Sequence, residues 1–267
     1  MEASLKIYHK TLYGIAFLVL SAGIAHVAEQ LHFYYFNPDS IQSNLRQLKS
    51  HMDTVLQKNE IQASFQPFAH LSDLDNQIRK NQPTLLYVPY WYFERYGKEL
   101  GLQPLLASWR NNKPDYQKKL ITNIKPRQNF NQQINKTLAM TTMGPDNKSI
   151  LNRLTYYHNT NNTKQYNIIE VPKDADAVFA VALGQVDSAL VSSSILQLLE
   201  KRNPKLISSI QIIAETPPIN LPVLCYLKGT IKDKQLETLR QQFQKDASTE
   251  GRNIPKILGI DTWRSGI

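Results

Sequence analysis

The sequence has little cysteine and no recognisable metal-binding pattern. Cys225 is the single cysteine in 267 residues, which excludes a disulfide bond within the chain. No group of cysteines and histidines has the spacing of zinc ligands, so we expect no metal and no other cofactor. With 42% hydrophobic and 20% charged residues, the composition is that of an ordinary globular protein that can bury a core without cross-links.

The motifs that would indicate an enzyme are missing as well. The sequence contains no G-x-S-x-G, no H-E-x-x-H, no G-x-x-x-x-G-K and no G-x-G-x-x-G. Acidic residues that come in pairs, such as Asp174 and Asp176, are two positions apart. That spacing places them on opposite faces of a strand and prevents their meeting on a helix. The sequence therefore predicts a protein that is not an enzyme.

A long apolar run occurs at the N-terminus. Lys6 and Lys10 precede the apolar stretch Leu12–Ala25, which ends in Gly23-Ile24-Ala25, a usable cleavage site. This layout is typical of a secretory signal peptide within residues 1–28. The run is shorter than the ~20 residues of a typical membrane-spanning helix, although an uncleaved anchor to the inner membrane is the alternative. We expect a periplasmic or otherwise extracytoplasmic protein.

Basic residues outnumber acidic ones, 31 to 22, and the formal net charge is +9. A positive surface favours anionic ligands or membranes, but solvated surface lysines explain the same excess. The lysines do not cluster on one predicted helix, so we expect no nucleic-acid partner.

Strand-like and helix-like segments alternate from residue 32 onward. The aromatic run HFYYF at 32–36 predicts a strand, and apolar residues at helical spacing predict a helix over 41–58. Further strands are predicted at 61–68 and 84–90, with a short helix between them. Strands separated by helices indicate a parallel sheet with right-handed crossovers.

Two proline-containing stretches, 101–118 and 216–222, interrupt this alternation and look like connectors. They predict an α/β protein of two lobes with a ligand cleft between them. The outer lobe would comprise residues 29–110 and 216–267, and the inner lobe, residues 111–215, would be inserted into it.

Ligands of open α/β sheets bind beyond the carboxyl ends of the strands. We therefore expect ligand contacts from the residues at these ends, namely Phe36, Asn37, Tyr90, Tyr92, Thr142 and Ser192. Aromatic rings supply contact area in a cleft, and a phenol adds a hydrogen bond. Packing of Tyr90 and Trp91 between helix and sheet is the alternative interpretation.

Three segments resemble the periplasmic substrate-binding proteins of phosphate, phosphite and phosphonate ABC transporters. They are 84-TLLYVPYWYFERYGKELGLQPLLA-107, 175-ADAVFAVALGQVDSALVSSSIL-196 and 216-TPPINLPVLCYLKG-229. The resemblance implies the two-lobed type 2 periplasmic-binding-protein fold. It also implies that Tyr92, in a Pro-x-x-Tyr turn similar to that of the family, lines the ligand cleft.

The sequence departs from the family pattern at two ligand-binding positions. Members usually have a Ser-Thr-Ser-Gly turn where this chain has 143-MGPDNKSIL-151. There Asn147, Lys148 and Ser149 are the residues expected to donate to an anion at a helix N-terminus. Where members often have a ligand-binding histidine, this chain has Asp174, which disfavours a phosphonate and favours a cationic or amine-bearing ligand.

Two functions follow from these observations. The first is an exported, monomeric solute-binding protein that closes on a small polar ligand, phosphonate-like or another oxyanion, and delivers it to a membrane permease for ABC-type uptake. The second is a divergent sensor or interaction module of the same fold that partners a membrane-bound signalling protein. The retained order of segments favours the first, and the changes at the ligand-binding turn and at Asp174 favour the second.

Overall fold

The computed structural model of the chain describes residues 30–42, 44–124, 137–144, 147, 151, 166–245 and 253–266. Its strands are β1 (Leu31–Tyr35), β2 (Ala63–Pro67), β3 (Leu85–Val88), β4 (Leu102–Trp109), β5 (Asp115–Tyr116), β6 (Lys118–Asn123), β7 (Thr137–Met140), β8 (Asn167–Glu170), β9 (Ser188–Ser192), β10 (Ile210–Glu215), β11 (Ile219–Asn220), β12 (Val223–Leu227) and β13 (Thr262–Arg264). Its helices are α1 (Leu45–Lys58), α2 (Leu71–Asn81), α3 (Tyr90–Leu100), α4 (Asp174–Ala182), α5 (Ser193–Arg202), α6 (Pro204–Ile207), α7 (Asp233–Gln244) and α8 (Ile254–Leu258).

The outer lobe is built on a six-stranded sheet with the order β13-β4-β12-β3-β1-β2. Strand β1 is parallel to β2 and β3, and the crossovers between these strands are α1 and α2. The late strands β12 and β13 pair antiparallel with the early ones. Helix α1 buries Leu48, Met52, Val55 and Leu56, whose helical spacing gives it one apolar face, and Asn44 caps its first turn.

The sequence suggested that residues 101–118 form a connector, but the first half of this stretch is strand β4 (Leu102–Trp109). Pro104 argues against a central strand because it lacks an N–H group. The structure accommodates it since β13 pairs only with residues 107–109 of β4, so Pro104 has a partner strand on one side. On that side the register with β12 shifts at Leu224 and Cys225, opposite Pro104. The proline therefore sits at an irregular, locally edge-like position, where it costs little.

The inner lobe is built on a five-stranded sheet with the order β10-β6-β9-β7-β8. Strand β7 is parallel to β8 and β9, whereas β6 runs antiparallel to β9 and β10. Helix α4 packs Ala177, Val178 and Val181 against the sheet.

The two chain connections between the lobes run side by side. Strands β5 and β11 pair as a short antiparallel ribbon, and the Leu221 N–H donates to the Pro114 carbonyl at 2.7 Å. At the inner end of the ribbon the Lys118 N–H donates to the Thr216 hydroxyl at 2.9 Å. The predicted two-lobed α/β fold, with one lobe inserted in the other, is thus confirmed, while the boundaries at residues 110 and 215 stay a prediction.

In the part of the chain that the structure describes, no helix is long and apolar enough to cross a membrane. The predicted leader, residues 1–28, lies outside that part.

Candidate functional site

A lysine is buried at the boundary between the two lobes. Lys118, the first residue of β6, has 0% of its surface exposed. Its ammonium group donates to Asp39 Oδ1 at 2.7 Å, to Thr141 Oγ1 at 2.6 Å and to Asp174 Oδ1 at 3.3 Å. We call these four residues, together with Tyr116, the inter-lobe cluster.

Asp39 is the outer-lobe member of this cluster. It lies in the turn that follows β1, where its N–H donates to Asn37 Oδ1 at 3.2 Å and the Ser40 N–H donates to the Asn37 carbonyl. Asparagine and aspartate stabilise such turns through their own backbone. The turn therefore presents the Asp39 carboxylate to the inner lobe in a defined orientation.

Three donors converge on the Asp39 carboxylate. Lys118 and Thr141 donate to Oδ1, the hydroxyl of Thr141 at 2.5 Å, and Tyr116 donates to Oδ2 at 2.5 Å. Thr141 follows β7 at the carboxyl end of the inner sheet, and Tyr116 belongs to the ribbon between the lobes. The Asp39 carboxylate of the outer lobe is thus held by residues of the inner lobe and of the ribbon that joins the lobes.

Asp174 completes the cluster from the inner lobe. It is the first residue of α4 and is 1% exposed. Its Oδ2 accepts the Ser192 N–H at 2.8 Å, and its Oδ1 faces Lys118. A carboxylate at a helix N-terminus is also favoured by the helix dipole. Asp174 is therefore an internal partner of Lys118.

The charges in the cluster depend on one another. For Asp39, burial favours the neutral acid, but the Lys118 charge and the hydrogen bonds from Lys118, Thr141 and Tyr116 outweigh it and lower the pKa. For Lys118, burial opposes ionisation, but Asp174 and Asp39 outweigh it and raise the pKa. Burial raises the pKa of Asp174, and Asp39 adds to the rise while Lys118 opposes it. Asp39 and Lys118 consequently form an ionised pair across the lobes.

Trp91 makes a second contact between the lobes. This half-buried ring packs against the apolar cores of both the outer and the inner lobe. Opposite it lies Gly144, which has φ +71°, and a Cβ added there would lie 2.5 Å from the ring. Lys173, also of the inner lobe, donates to the carbonyl of Asn37 at 3.5 Å. The lobes thus meet through a packed aromatic ring as well as through charges.

Three of the predicted ligand-binding residues lie at this boundary. Asn37 shapes the turn that carries Asp39, and Asp174 and Ser192 are joined by the hydrogen bond between them. The hydroxyl of Ser192 lies 3.0 Å from that of Ser194. Asp174 was predicted to favour a cationic ligand. In the structure the cation beside its carboxylate is the ammonium group of Lys118.

Three other predicted residues, Phe36, Tyr90 and Thr142, are placed differently. Phe36, expected at the cleft wall, is 1% exposed in the outer-lobe core. Tyr90 is half-buried and lines a cavity of about 270 Å³ near the lobe connections, together with Trp109 and Pro114. Thr142 accepts the Gly144 N–H at 3.3 Å in a local turn.

Asn147, predicted to donate to an anion, is used within the inner lobe. Its amide donates to Glu170 Oε1 at 2.9 Å, and its Oδ1 accepts the Met143 N–H at 2.8 Å. Lys148 and Ser149 lie outside the described residues.

The structure corrects the predicted placement of Tyr92 in the cleft. Its ring is 1% exposed in the outer-lobe core, and its phenol donates to Asp75 Oδ1 of α2 at 2.8 Å. The reason is that α3 begins at Tyr90, directly after Pro89. Successive helical residues point about 100° apart, since a turn has about 3.6 residues. Trp91 therefore reaches the other lobe, whereas Tyr92 turns into its own.

The prediction that follows concerns Tyr92→Phe. The change removes the hydrogen bond to Asp75 and leaves the ring packing intact, so we expect a loss of about 0.5–1.5 kcal/mol in the free energy of unfolding. Affinity for any ligand of the cleft should not change. Urea unfolding measures the first effect and calorimetric titration the second, and a weakened ligand affinity at unchanged stability would contradict this placement.

Sequence reasoning missed Asp39, Tyr116, Lys118 and Thr141. One signal was available for the lysine: Lys118, Leu120 and Thr122 alternate along a strand, so a buried Leu120 implies a buried Lys118. Thr141 is one residue from the predicted Thr142, and a shift of one residue moves a side chain to the opposite face. No local pattern identifies Asp39 or Tyr116.

Comparison with known proteins agrees with this architecture. Residues 33–266 match the family model described as ABC transporter, phosphonate, periplasmic substrate-binding protein. No curated protein matches the sequence.

Solved structures with a similar fold include the binding protein component of an ABC phosphonate transporter from Pseudomonas aeruginosa. It is 16% identical, with 88% of this chain and 80% of that chain covered and a TM-score of 0.71. PhnD1 from Prochlorococcus marinus, solved in complex with methylphosphonate, is 11% identical, with coverages of 88% and 91% and a TM-score of 0.72. The periplasmic VFT2 domain of BvgS from Bordetella pertussis is 13% identical, with coverages of 86% and 92% and a TM-score of 0.51.

Proposed function

We propose, because the chain belongs to the family of periplasmic substrate-binding proteins of phosphonate ABC transporters, that it binds a small phosphonate- or phosphate-like anion between its lobes and delivers it to a membrane permease. Members of this family are substrate-binding transport components that act outside the cytoplasm. We propose further that the protein acts as a monomer and binds its ligand without chemical turnover.

The observation that supports an anionic ligand is the convergence of three hydrogen-bond donors on one point between the lobes. Tyr116, Lys118 and Thr141 all donate to the oxygens of a single carboxylate, that of Asp39. A phosphonate presents the same kind of acceptor oxygens, and donors of this type with one charged member are the usual means of holding an oxyanion. We call these three residues the donor set.

The charge around the donor set is compatible with an anion once Asp39 is withdrawn. Lys118 and Asp174 then balance each other, and Lys173, at hydrogen-bonding distance from the Asn37 carbonyl, contributes a further positive group beside them. With Asp39 in place, an anion would meet two carboxylates. The ligand and the Asp39 carboxylate are therefore alternatives for the donor set.

Titration with methylphosphonate and with inorganic phosphate tests this function. A ligand at 100 times its dissociation constant adds about 2.7 kcal/mol to the free energy of unfolding, which raises Tm by roughly 5–10 °C for a chain of this size. Because Thr141 also donates to the competing Asp39 carboxylate, its effect on the ligand is measured with Asp39 replaced by alanine. There Thr141→Val removes one donor and should weaken binding about tenfold, the equivalent of about 1.4 kcal/mol.

The matched control is Thr230→Val. The Thr230 hydroxyl donates to the Leu227 carbonyl in an outer-lobe turn away from the cluster, so this variant should bind like the wild type. Stabilisation by amines but by neither anion would contradict the proposed ligand class.

A signalling role is the second candidate. The observation that favours it is that the lobes are held together by side chains of this chain, through Asp39 and Lys118 and through Trp91. A domain that is closed without a solute is suited to report to a membrane-bound partner. A protein that none of the anions stabilises, and that co-purifies with a membrane-bound signalling protein, would fit this role instead of transport.

A further inference from the structure

We infer that Asp39 is a built-in competitor of the ligand: its carboxylate occupies the donor set, holds the lobes closed in the absence of ligand, and must leave before an anion binds. The ligand class in this inference rests on the proposed function. The closure by Asp39 does not, because it follows from the contacts alone.

The number of N–H and O–H donors shows that Asp39 and a ligand anion cannot use the donor set at the same time. An ammonium group has three N–H donors, and those of Lys118 go to Asp39, Thr141 and Asp174. A threonine and a tyrosine hydroxyl each have one proton, and those of Thr141 and Tyr116 go to Asp39. No donor in the set is left for a ligand oxygen while Asp39 is in place.

Asp39 holds the lobes closed because its hydrogen-bond partners belong to other parts of the molecule. Asp39 belongs to the outer lobe, whereas Lys118 and Thr141 belong to the inner sheet and Tyr116 to the ribbon that joins the lobes. The side chain of Asp39 is 14% exposed and that of Lys118 is 0% exposed. Opening the lobes would break the two bonds that reach Asp39 from the inner lobe, those of Lys118 and Thr141, and would bring the lysine into water.

A closed form without ligand lowers the apparent affinity, because only the fraction of molecules with a free donor set can bind. If about nine molecules in ten are closed by Asp39, the apparent dissociation constant is about tenfold higher than that of an open protein. Removing the carboxylate should therefore tighten anion binding, the opposite of what the loss of a ligand-binding residue does.

The test uses Asp39→Ala with spin labels on the two lobes. Cys225 is the single cysteine and is buried, so cysteines introduced at the exposed positions Lys80 and Lys201 take the labels selectively. In the ligand-free protein we expect a longer distance between the labels in Asp39→Ala than in the wild type. We also expect a dissociation constant for methylphosphonate and phosphate about tenfold lower, with the short distance restored by the anion.

Two further variants sharpen the comparison. Asp53→Ala removes a carboxylate that pairs with Lys49 inside the outer lobe at 2.9 Å, so it changes the net charge equally and should leave distance and affinity at wild-type values. Asp39→Asn keeps the shape of the side chain, so its label distance and its affinity should lie between those of the wild type and of Asp39→Ala. It provides the same test if Asp39→Ala folds poorly.

The inference is overturned if the distance in Asp39→Ala equals that of the wild type, or if both proteins bind the anions with the same dissociation constant. If the distance lengthens while neither protein binds either anion, closure by Asp39 is supported and the proposed function fails.

Discussion

Replacing Lys118 with methionine is expected to lower the free energy of unfolding by about 3–5 kcal/mol, the usual cost of removing one partner from a buried ion pair. Methionine fills a similar volume but carries no charge. Asp39 and Asp174 would then be two carboxylates near the lobe boundary with no cation between them. Urea unfolding at neutral pH measures the loss.

The pH dependence gives this prediction a second readout. Without the lysine, burial and mutual repulsion raise the pKa of both carboxyl groups in the folded protein above their unfolded values. Stability from groups with a raised pKa is present at low pH and is lost as pH rises through the folded pKa. In the wild type the pKa of Asp39 is lowered below the usual value of about 4, so its contribution is still present at pH 5 and disappears only at lower pH. The two proteins should therefore differ less at pH 5 than at pH 7.5.

The matched control is Lys119→Met. Lys119 is the next residue of β6 and pairs with Glu215, which is 47% exposed. Exposed pairs contribute about 0–1 kcal/mol. An equal loss of unfolding free energy in the two variants would mean that the buried Lys118 pair is no stronger than the more exposed Lys119 pair. Closure by Asp39 would then have no physical basis.

Replacing Gly144 with alanine is expected to have the second-largest effect. Its φ of +71° strains any side chain by about 1–2 kcal/mol. The new Cβ would also lie 2.5 Å from the Trp91 ring, which must move, and overpacking of this kind costs about 1–3 kcal/mol more. We expect a total loss of about 2–5 kcal/mol in urea unfolding, with a changed tryptophan emission.

Gly184→Ala separates the two causes. Gly184 has a similar φ of +70°, but nothing lies within 4 Å of the added Cβ. This variant should lose about 1–2 kcal/mol by strain alone and should keep the wild-type emission. If Gly144→Ala behaves like Gly184→Ala, Trp91 does not pack between the lobes in solution.

Much of the site could not be predicted from the sequence, because its contacts join residues that are far apart in the chain. Asp39 and Lys118 are 79 residues apart, and Lys118 and Asp174 are 56 apart. Charged residues of ordinary appearance become a site only when the fold brings them together and removes water from them. Ser192 was predicted because it lies at a strand end, and Asp174 because it stands where the resembling family often has a ligand-binding histidine, whereas Asp39 lies in a turn whose pattern indicates only a turn.

The aromatic residues 90–92 show a second limit of prediction from the sequence. The sequence correctly indicated a strand that ends near Pro89 and a helix after it. It did not indicate at which residue the helix begins, and that residue decides which of three neighbouring rings faces the other lobe.

The sequence by itself determined the alternation of strands and helices and the two-lobed α/β fold, because local periodicity and turn residues act over short stretches of chain. Only the tertiary structure decided that β4 tolerates Pro104, that Trp91 and not Tyr92 faces the inner lobe, and that Lys118 is shared between Asp39 and Asp174. Each of these depends on burial and on pairing with a distant partner, and both arise only when the sheets are assembled.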